Sequence, residues 1–196
     1  MIRHGETEWV KYRRIQGGGS NTELNETGRM QAEKLGVALK NKYIEAVYSS
    51  PLQRAVHTAE AIARYHDLEV NVDKDLREID AGDMEGVTLD NLIKDFSHYL
   101  IKFNEGNGTG KLPNGESLED LRQRTWRVAQ NVVRNHQGTA VIVSHYFVTL
   151  SIICAAMEMP IGSVRKMRVR PAGITILDFN RDKVILKVFN DTCHLT

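Results

Sequence analysis

The chain has 196 residues, enough to bury one substantial core, and a composition (41% apolar, 26% charged, 7% aromatic) ordinary for a globular protein. Its formal net charge of +1 excludes a general attraction to nucleic acid or to a membrane surface, so any affinity for anions must be local. Two cysteines, Cys154 in an apolar stretch and Cys193 near the end, exclude a disulfide framework; with no apolar signal at the start, one cytoplasmic domain over 1–196 is expected.

Met1-Ile2-Arg3 reads as the stub of a first strand, either truncated or continued by upstream residues. Residues 22–28 are rich in turn formers and lead into a helix over 27–42, with Met30, Ala38 and Leu39 among its apolar positions. A second strand follows at 44–48. Ser50-Pro51 is a helix start, Ser as cap and Pro at the first helical position, and that helix runs to about Tyr65. Residues 68–72 form a short strand and 76–79 a short extended piece. Helices are expected over 88–103 and 117–136, separated by a Gly- and Asn-rich loop; the second opens on Ser117-Leu118-Glu119-Asp120, a capping box with Asp in place of Glu. Residues 139–143 are a continuous apolar strand of the kind buried in a parallel sheet. A helix starts at about Tyr146, in an apolar run over 147–159 too short and mixed to span a bilayer. Segments 174–179 and 184–189 make a hairpin across Asn180-Arg181-Asp182-Lys183. Alternation of strand and helix gives an α/β fold, a three-layer sandwich with a mostly parallel central sheet.

In an open α/β sheet, ligands bind beyond the carboxyl ends of the strands. Four polar segments far apart in sequence fall there: Arg3-His4, Ser49 through Arg54, Glu78 and Ser144-His145. A neutral His4 can attack phosphorus and carry the phosphoryl group. Arg3 and Arg54 suit the non-bridging oxygens, and His145 adds a donor, charged or hydrogen-bonding. Glu78 suits a general acid that protonates the leaving oxygen and then activates water, with Glu6 and Asp80 as competitors for that role. Gly17-Gly18-Gly19 reads equally as a backbone cradle for phosphate or as a flexible turn. The basic stretch 165–170 reads as a half-exposed strand in preference to a substrate attractor, and Trp126 as core. The remaining histidines lack metal-ligand spacing.

Arg3-His4-Gly5-Glu6-Thr7, Gln16-Gly17, Leu24 through Gly28, Ser49 through Ala55 with Thr58-Ala59, Leu76 through Ile79 with Gly82 and Glu85-Gly86, Pro113 through Ser117 and Val143-Ser144-His145 run in one order across nearly the whole chain. In that order they resemble the histidine phosphatase superfamily, also called phosphoglycerate-mutase-like, in its phosphatase branch. The resemblance implies that His4 is phosphorylated, that Glu78 donates the proton and that Arg3, Arg54 and His145 form the phosphate pocket. Gln16, Gly17 and Tyr146 join these as phosphate- or substrate-binding residues. It implies no metal and no cofactor, a small phosphorylated metabolite as substrate, and no nucleic-acid or membrane partner; a homodimer is the common default.

The pattern is broken at a few positions. Val10 stands where many relatives carry a phosphate-contacting asparagine, Met84 where tryptophan is frequent, and Ser20-Asn21 near a usual aspartate. Tyr146-Phe147 are bulky where small residues are common, which narrows the pocket. Residues 88–116 are expected to cover the site and set selectivity, with Lys94, Lys102 and Lys111 as candidate contacts. The expected reaction is hydrolysis of a phosphomonoester, favoured over a mutase by the chain's shortness and by the segment 78–86. The alternatives are a phosphoglycerate mutase and, given Val10, a weakly active phosphate-binding regulator.

Overall fold

The structure, a computed structural model, describes residues 1–104, 108–180 and 183–196, apart from the side chains of Tyr99, Lys102 and Asn104. In chain order the strands are β1 (Ile2–Arg3), β2 (Ala46–Ser49), β3 (Val70–Val72), β4 (Ala140–Ser144), β5 (Ile174–Asn180) and β6 (Lys183–Asp191). The helices are α1 (Glu8–Lys11), α2 (Glu26–Leu39), α3 (Gln53–Ala63), α4 (Leu89–Asn104), α5 (Leu118–Asn135) and α6 (Tyr146–Ala156). The strands form one sheet in the order β3-β2-β4-β1-β5-β6. β1 through β4 are mutually parallel, while β5 pairs antiparallel with both β1 and β6.

Side-chain alternation along β4 explains the layering. Val141 and Val143 point to one face and pack with Leu35 of α2 and Ala55, Ala59 and Ile62 of α3. Ile142 points to the other and packs with Leu121 and Val128 of α5 and Leu150 and Ile153 of α6. Helices therefore cover both faces, giving the expected three layers. α6 is apolar all round because it is buried all round. No helix among the described residues is long and apolar enough to cross a membrane.

Local chemistry sets most boundaries. Ser117 and Asp120 form the expected capping box, with reciprocal bonds of 3.1 and 3.2 Å. Asn25 starts α2 by accepting from the N–H of Gly28 at 2.8 Å, and the helix stops at Leu39, short of the expected 42.

Three readings need correction. Ser50 does not cap α3; the cap position is Leu52, and the N–H of Gln53 donates instead to Asn21 Oδ1 at 2.8 Å. Of the extended piece expected at 76–79, Leu76 falls instead in a 3₁₀ turn (Lys74–Leu76) capped by Asp73, while Arg77 is extended, outside the sheet. The basic segment 165–170 is not a strand either. A 3₁₀ turn (Ile161–Lys166) occupies its start, and Arg168 bonds the carbonyls of Arg165 and Met167 instead of a ladder partner. The β5–β6 pairing bears out the hairpin, although Arg181 and Asp182 of its turn lie outside the described residues.

Candidate active site

The β1–β4 ladder carries the site. Past the end of β1, the N–H of His4 donates to the carbonyl of Ser144 at 2.9 Å, so the residues before the two candidate histidines lie side by side. The N–H of Gly5 donates to Thr58 Oγ1 at 3.1 Å, and that hydroxyl donates to the carbonyl of Arg54 at 2.7 Å. Gly5 is needed for close approach, not for a turn: a Cβ there would lie 2.5 Å from the carbonyl oxygen of Gly28. The chain after His4 is thus wedged against the start of α2.

His4 is buried, with 3% exposure, and Nδ1 lies 2.7 Å from the carbonyl oxygen of Gly5. A carbonyl only accepts, so the proton is assigned to Nδ1 and Nε2 keeps its lone pair. Burial holds the imidazole well below its usual 6.5, helped by the positive charges of Arg54 and Arg3. At neutral pH it is an uncharged nucleophile. Its ring lies 5.1 Å, centroid to centroid, from that of His145.

His145 is fully buried at the cap position of α6. Burial lowers its pKa well below 6.5 too, with Arg54 and His4 next in importance, so the imidazole is neutral at neutral pH. Nε2 lies 2.7 Å from Ser50 Oγ, and Ser50 Oγ also accepts from the N–H of Leu52 at 3.3 Å. We assign the shared proton to the serine hydroxyl, and the imidazole proton then lies on Nδ1.

Arg54, with 0% exposure, donates from Nη1 to the carbonyl of Ser20 at 2.8 Å and from Nη2 to that of Gly17 at 3.0 Å. Burial brings it down to about 10, opposed by Glu78 and Glu85, so it stays charged at neutral pH. Arg3 donates from Nη1 to the carbonyl of Val169 at 2.8 Å, and its guanidinium lies over the ring of Tyr146, 5.3 Å from the centroid. Three buried donor nitrogens in this constellation, Nε of Arg3, Nε of Arg54 and Nδ1 of His145, have no hydrogen-bond partner among the described residues. Orphaned buried donors are costly, and an anionic oxygen is the kind of acceptor that offsets that cost.

Glu78 is the buried carboxyl of the site, at 4% exposure, and Oε1 and Oε2 accept from the N–H groups of Ile79 (2.9 Å) and Phe147 (3.1 Å). Burial raises its pKa above 4.5, and those two bonds together with Arg54 and Arg3 pull the other way. Its competitors are engaged elsewhere: Glu6 accepts from Asn25 Nδ2 at 2.9 Å, and Asp80 is exposed and accepts from the N–H of Gly82 at 3.0 Å.

The other expected contacts have structural partners. Gln16 accepts from the hydroxyl of Thr7 at 3.1 Å and donates to that of Thr22. The N–H of Gly17 donates to Glu85 Oε1 at 2.9 Å and that of Gly18 to the carbonyl of Ile79 at 2.8 Å, so these two amides brace the loop, and Gly17 serves Arg54 through its carbonyl. Tyr146 donates its hydroxyl to the carbonyl of Met167 at 3.1 Å and offers its ring to Arg3. Val10 lies in α1, a single turn absent from the expected elements, and its N–H donates to Thr7 Oγ1 at 3.2 Å. Lys94 is exposed and Lys111 lies 3.4 Å from Asp120, while the side chain of Lys102 is outside the described residues. Sequence reasoning missed the roles of Ser50, Glu85 and the N–H of Phe147. Ser50 and Glu85, both inside the matched pattern, carried a signal; the N–H of Phe147 carried none.

The family model described as histidine phosphatase superfamily (branch 1) matches residues 1–192. The chain belongs to this superfamily. Within it, the chain is 29% identical over 201 residues to a probable phosphoglycerate mutase from Salmonella arizonae, covering all of this chain and 93% of that protein. Among solved structures, YhfR from Bacillus stearothermophilus superposes with a TM-score of 0.90 at 30% identity, over 100% of this chain and 97% of the other. Phosphoserine phosphatase from Entamoeba histolytica, in complex with 3-phosphoglyceric acid, gives 0.88 at 32% identity with the same coverage. The protein is accordingly an enzyme of the histidine phosphatase type.

Proposed function

We propose that the protein hydrolyses a phosphomonoester of a small metabolite through a phosphohistidine on Nε2 of His4, without a metal. The observation that carries this reading is the set of three partnerless buried donors beside a neutral imidazole whose Nε2 is free. Arg3, Arg54 and His145 hold the non-bridging oxygens and neutralise their charge, which is most of what phosphoryl transfer requires. Nε2 attacks phosphorus as the bond to the ester oxygen breaks, and that oxygen leaves with the proton of Glu78. The resulting carboxylate takes a proton from water, the hydroxide displaces His4 from phosphorus, and inorganic phosphate leaves with the imidazole restored. The raised pKa of Glu78 suits the first step, and its two backbone bonds stabilise the anion in the second.

Within the segment expected to cover this site, α4 supports that reading. Phe103 of α4 is buried and stacks edge-on against Phe147, 6.4 Å between centroids, and Phe147 donates its N–H to Glu78. The similarity to a phosphatase with 3-phosphoglyceric acid bound supports a small substrate.

The test is brief exposure to labelled p-nitrophenyl phosphate followed by denaturation. An acid-labile phosphoramidate with release of inorganic phosphate, both lost in His4→Ala, supports the reading. Interconversion of phosphoglycerates far faster than phosphate release would make the protein a mutase, as its Salmonella relative is named. Neither product would leave a phosphate-binding regulator.

A further inference from the structure

Glu78 sits on backbone that belongs to no strand or helix, between the 3₁₀ turns Lys74–Leu76 and Gly82–Met84. No ladder holds this stretch, yet a general acid must be placed to within about half an ångström. Beside the bonds from Gly18 to the carbonyl of Ile79 and from Ser144 Oγ to that of Leu76, at 2.8 and 2.7 Å, a larger hold comes from the side of α5. Arg124 engages all five of its N–H donors. Nη1 donates to the carbonyls of Asp75 and Arg77, both at 2.7 Å, and Nη2 to that of Glu78 at 3.1 Å. Nε and Nη2 complete a bidentate pair with Glu116 at 2.8 and 2.7 Å. Glu116 in turn accepts from the N–H of Asp80 at 2.9 Å. Two side chains thus grip residues 75, 77, 78 and 80, and the pair is largely shielded, with 16% and 25% of the side chains exposed.

With every donor committed, Arg124 has none left for substrate. Its planar fork meets carboxylate and carbonyls together, which a lysine ammonium cannot reproduce. We propose that Arg124, locked by Glu116, is the positioning residue for the acid, setting where the Glu78 carboxyl meets the leaving oxygen; this rests on Glu78 being that acid. The clamp acts on proton donation and not on phosphate binding. Its loss therefore harms esters with basic leaving groups and spares those whose leaving group departs unaided.

The experiment measures kcat/KM over a series from p-nitrophenyl to alkyl phosphates for wild type, Glu78→Gln, Arg124→Lys and Glu116→Gln, with Tm recorded for each. Arg124→Lys should keep the nitrophenyl ester within about threefold and lose about 10²-fold on the alkyl ester, steepening the leaving-group dependence as Glu78→Gln does. Glu116→Gln should move in the same direction by less, and it decides the matter if Arg124→Lys fails to fold. An equal fall on every ester in both clamp variants, with Glu78→Gln steep, would overturn the proposal and make Arg124 purely structural. A flat response in Glu78→Gln itself would overturn the acid assignment and the clamp with it.

Discussion

Ser50 Oγ lies 2.7 Å from Nε2 of His145, although the two residues are 95 positions apart in sequence. With the shared proton assigned to the serine, Nδ1 carries the ring proton and is the nitrogen offered to phosphate in the proposed reaction. Ser50→Ala should leave the fold intact and lower kcat/KM by up to about 10²-fold, the cost of a donor free to rotate or change tautomer. Ser50→Thr, which keeps the hydroxyl, should recover part of the loss in the same phosphate-release assay.

The rate should depend on pH with two limbs. In the proposed mechanism His4 attacks when neutral, so activity should fall as pH drops through its pKa, which burial and two arginines hold well below 6.5. Glu78 acts when protonated, so activity on alkyl esters falls as pH rises through a pKa that burial lifts above 4.5. In Glu78→Gln the alkaline limb should vanish while the acid limb stays. A pH–rate profile of the two proteins on one alkyl ester checks this, and an unchanged alkaline limb would refute the assignment.

Stability should fall on acidification starting near neutrality. The folded-state pKa values of His4 and His145 both lie well below 6.5, so below that pH the unfolded chain binds more protons than the folded one. Each histidine then removes about 1.4 kcal/mol per pH unit until it titrates in the folded state. Glu78 works in the opposite sense. Its raised folded-state pKa stabilises the fold at and below 4.5, and that gain is lost as pH rises through the folded value. Between pH 6.5 and 5 the two histidines outweigh the single carboxyl. Urea melts at pH 7, 6 and 5 should show declining stability, with a smaller decline in His145→Gln.

Gly28→Ala tests the wedge behind the nucleophile. A Cβ on Gly28 would lie 2.0 Å from the carbonyl oxygen of Glu6, a backbone atom that cannot swing aside. The expected loss is about 3 kcal/mol in stability, accompanied by a drop in kcat for every ester, because the Gly5–Glu6 backbone moves with His4. Thermal melts and assays on two esters would register both effects.

Much of this was legible from residues alone. The run at 139–143, the capping box at Ser117 and the placement of four polar segments at one sheet edge follow from short-range rules, and the structure agrees with them. What escaped depends on partners distant in sequence. Ser50 followed by Pro51 satisfies every local rule for a helix cap, but His145 claims its hydroxyl and Asn21 serves the helix in its place. Arg124 sits among Arg122 and Arg127 on an amphipathic helix and reads as one more solvated charge. Only the fold brings it against three carbonyls of another segment. The single turn α1 is too short for any periodicity to announce it.

The hydrogen bond from the His4 amide to the Ser144 carbonyl means that the spacing of the two chain segments that carry the imidazoles is written in main-chain atoms. Interchange of side chains around the rim leaves that spacing untouched. Recognition and reactivity are therefore separable in this molecule, and a redesigned entrance taken from another ester's enzyme could be grafted on without retuning the chemistry beneath it.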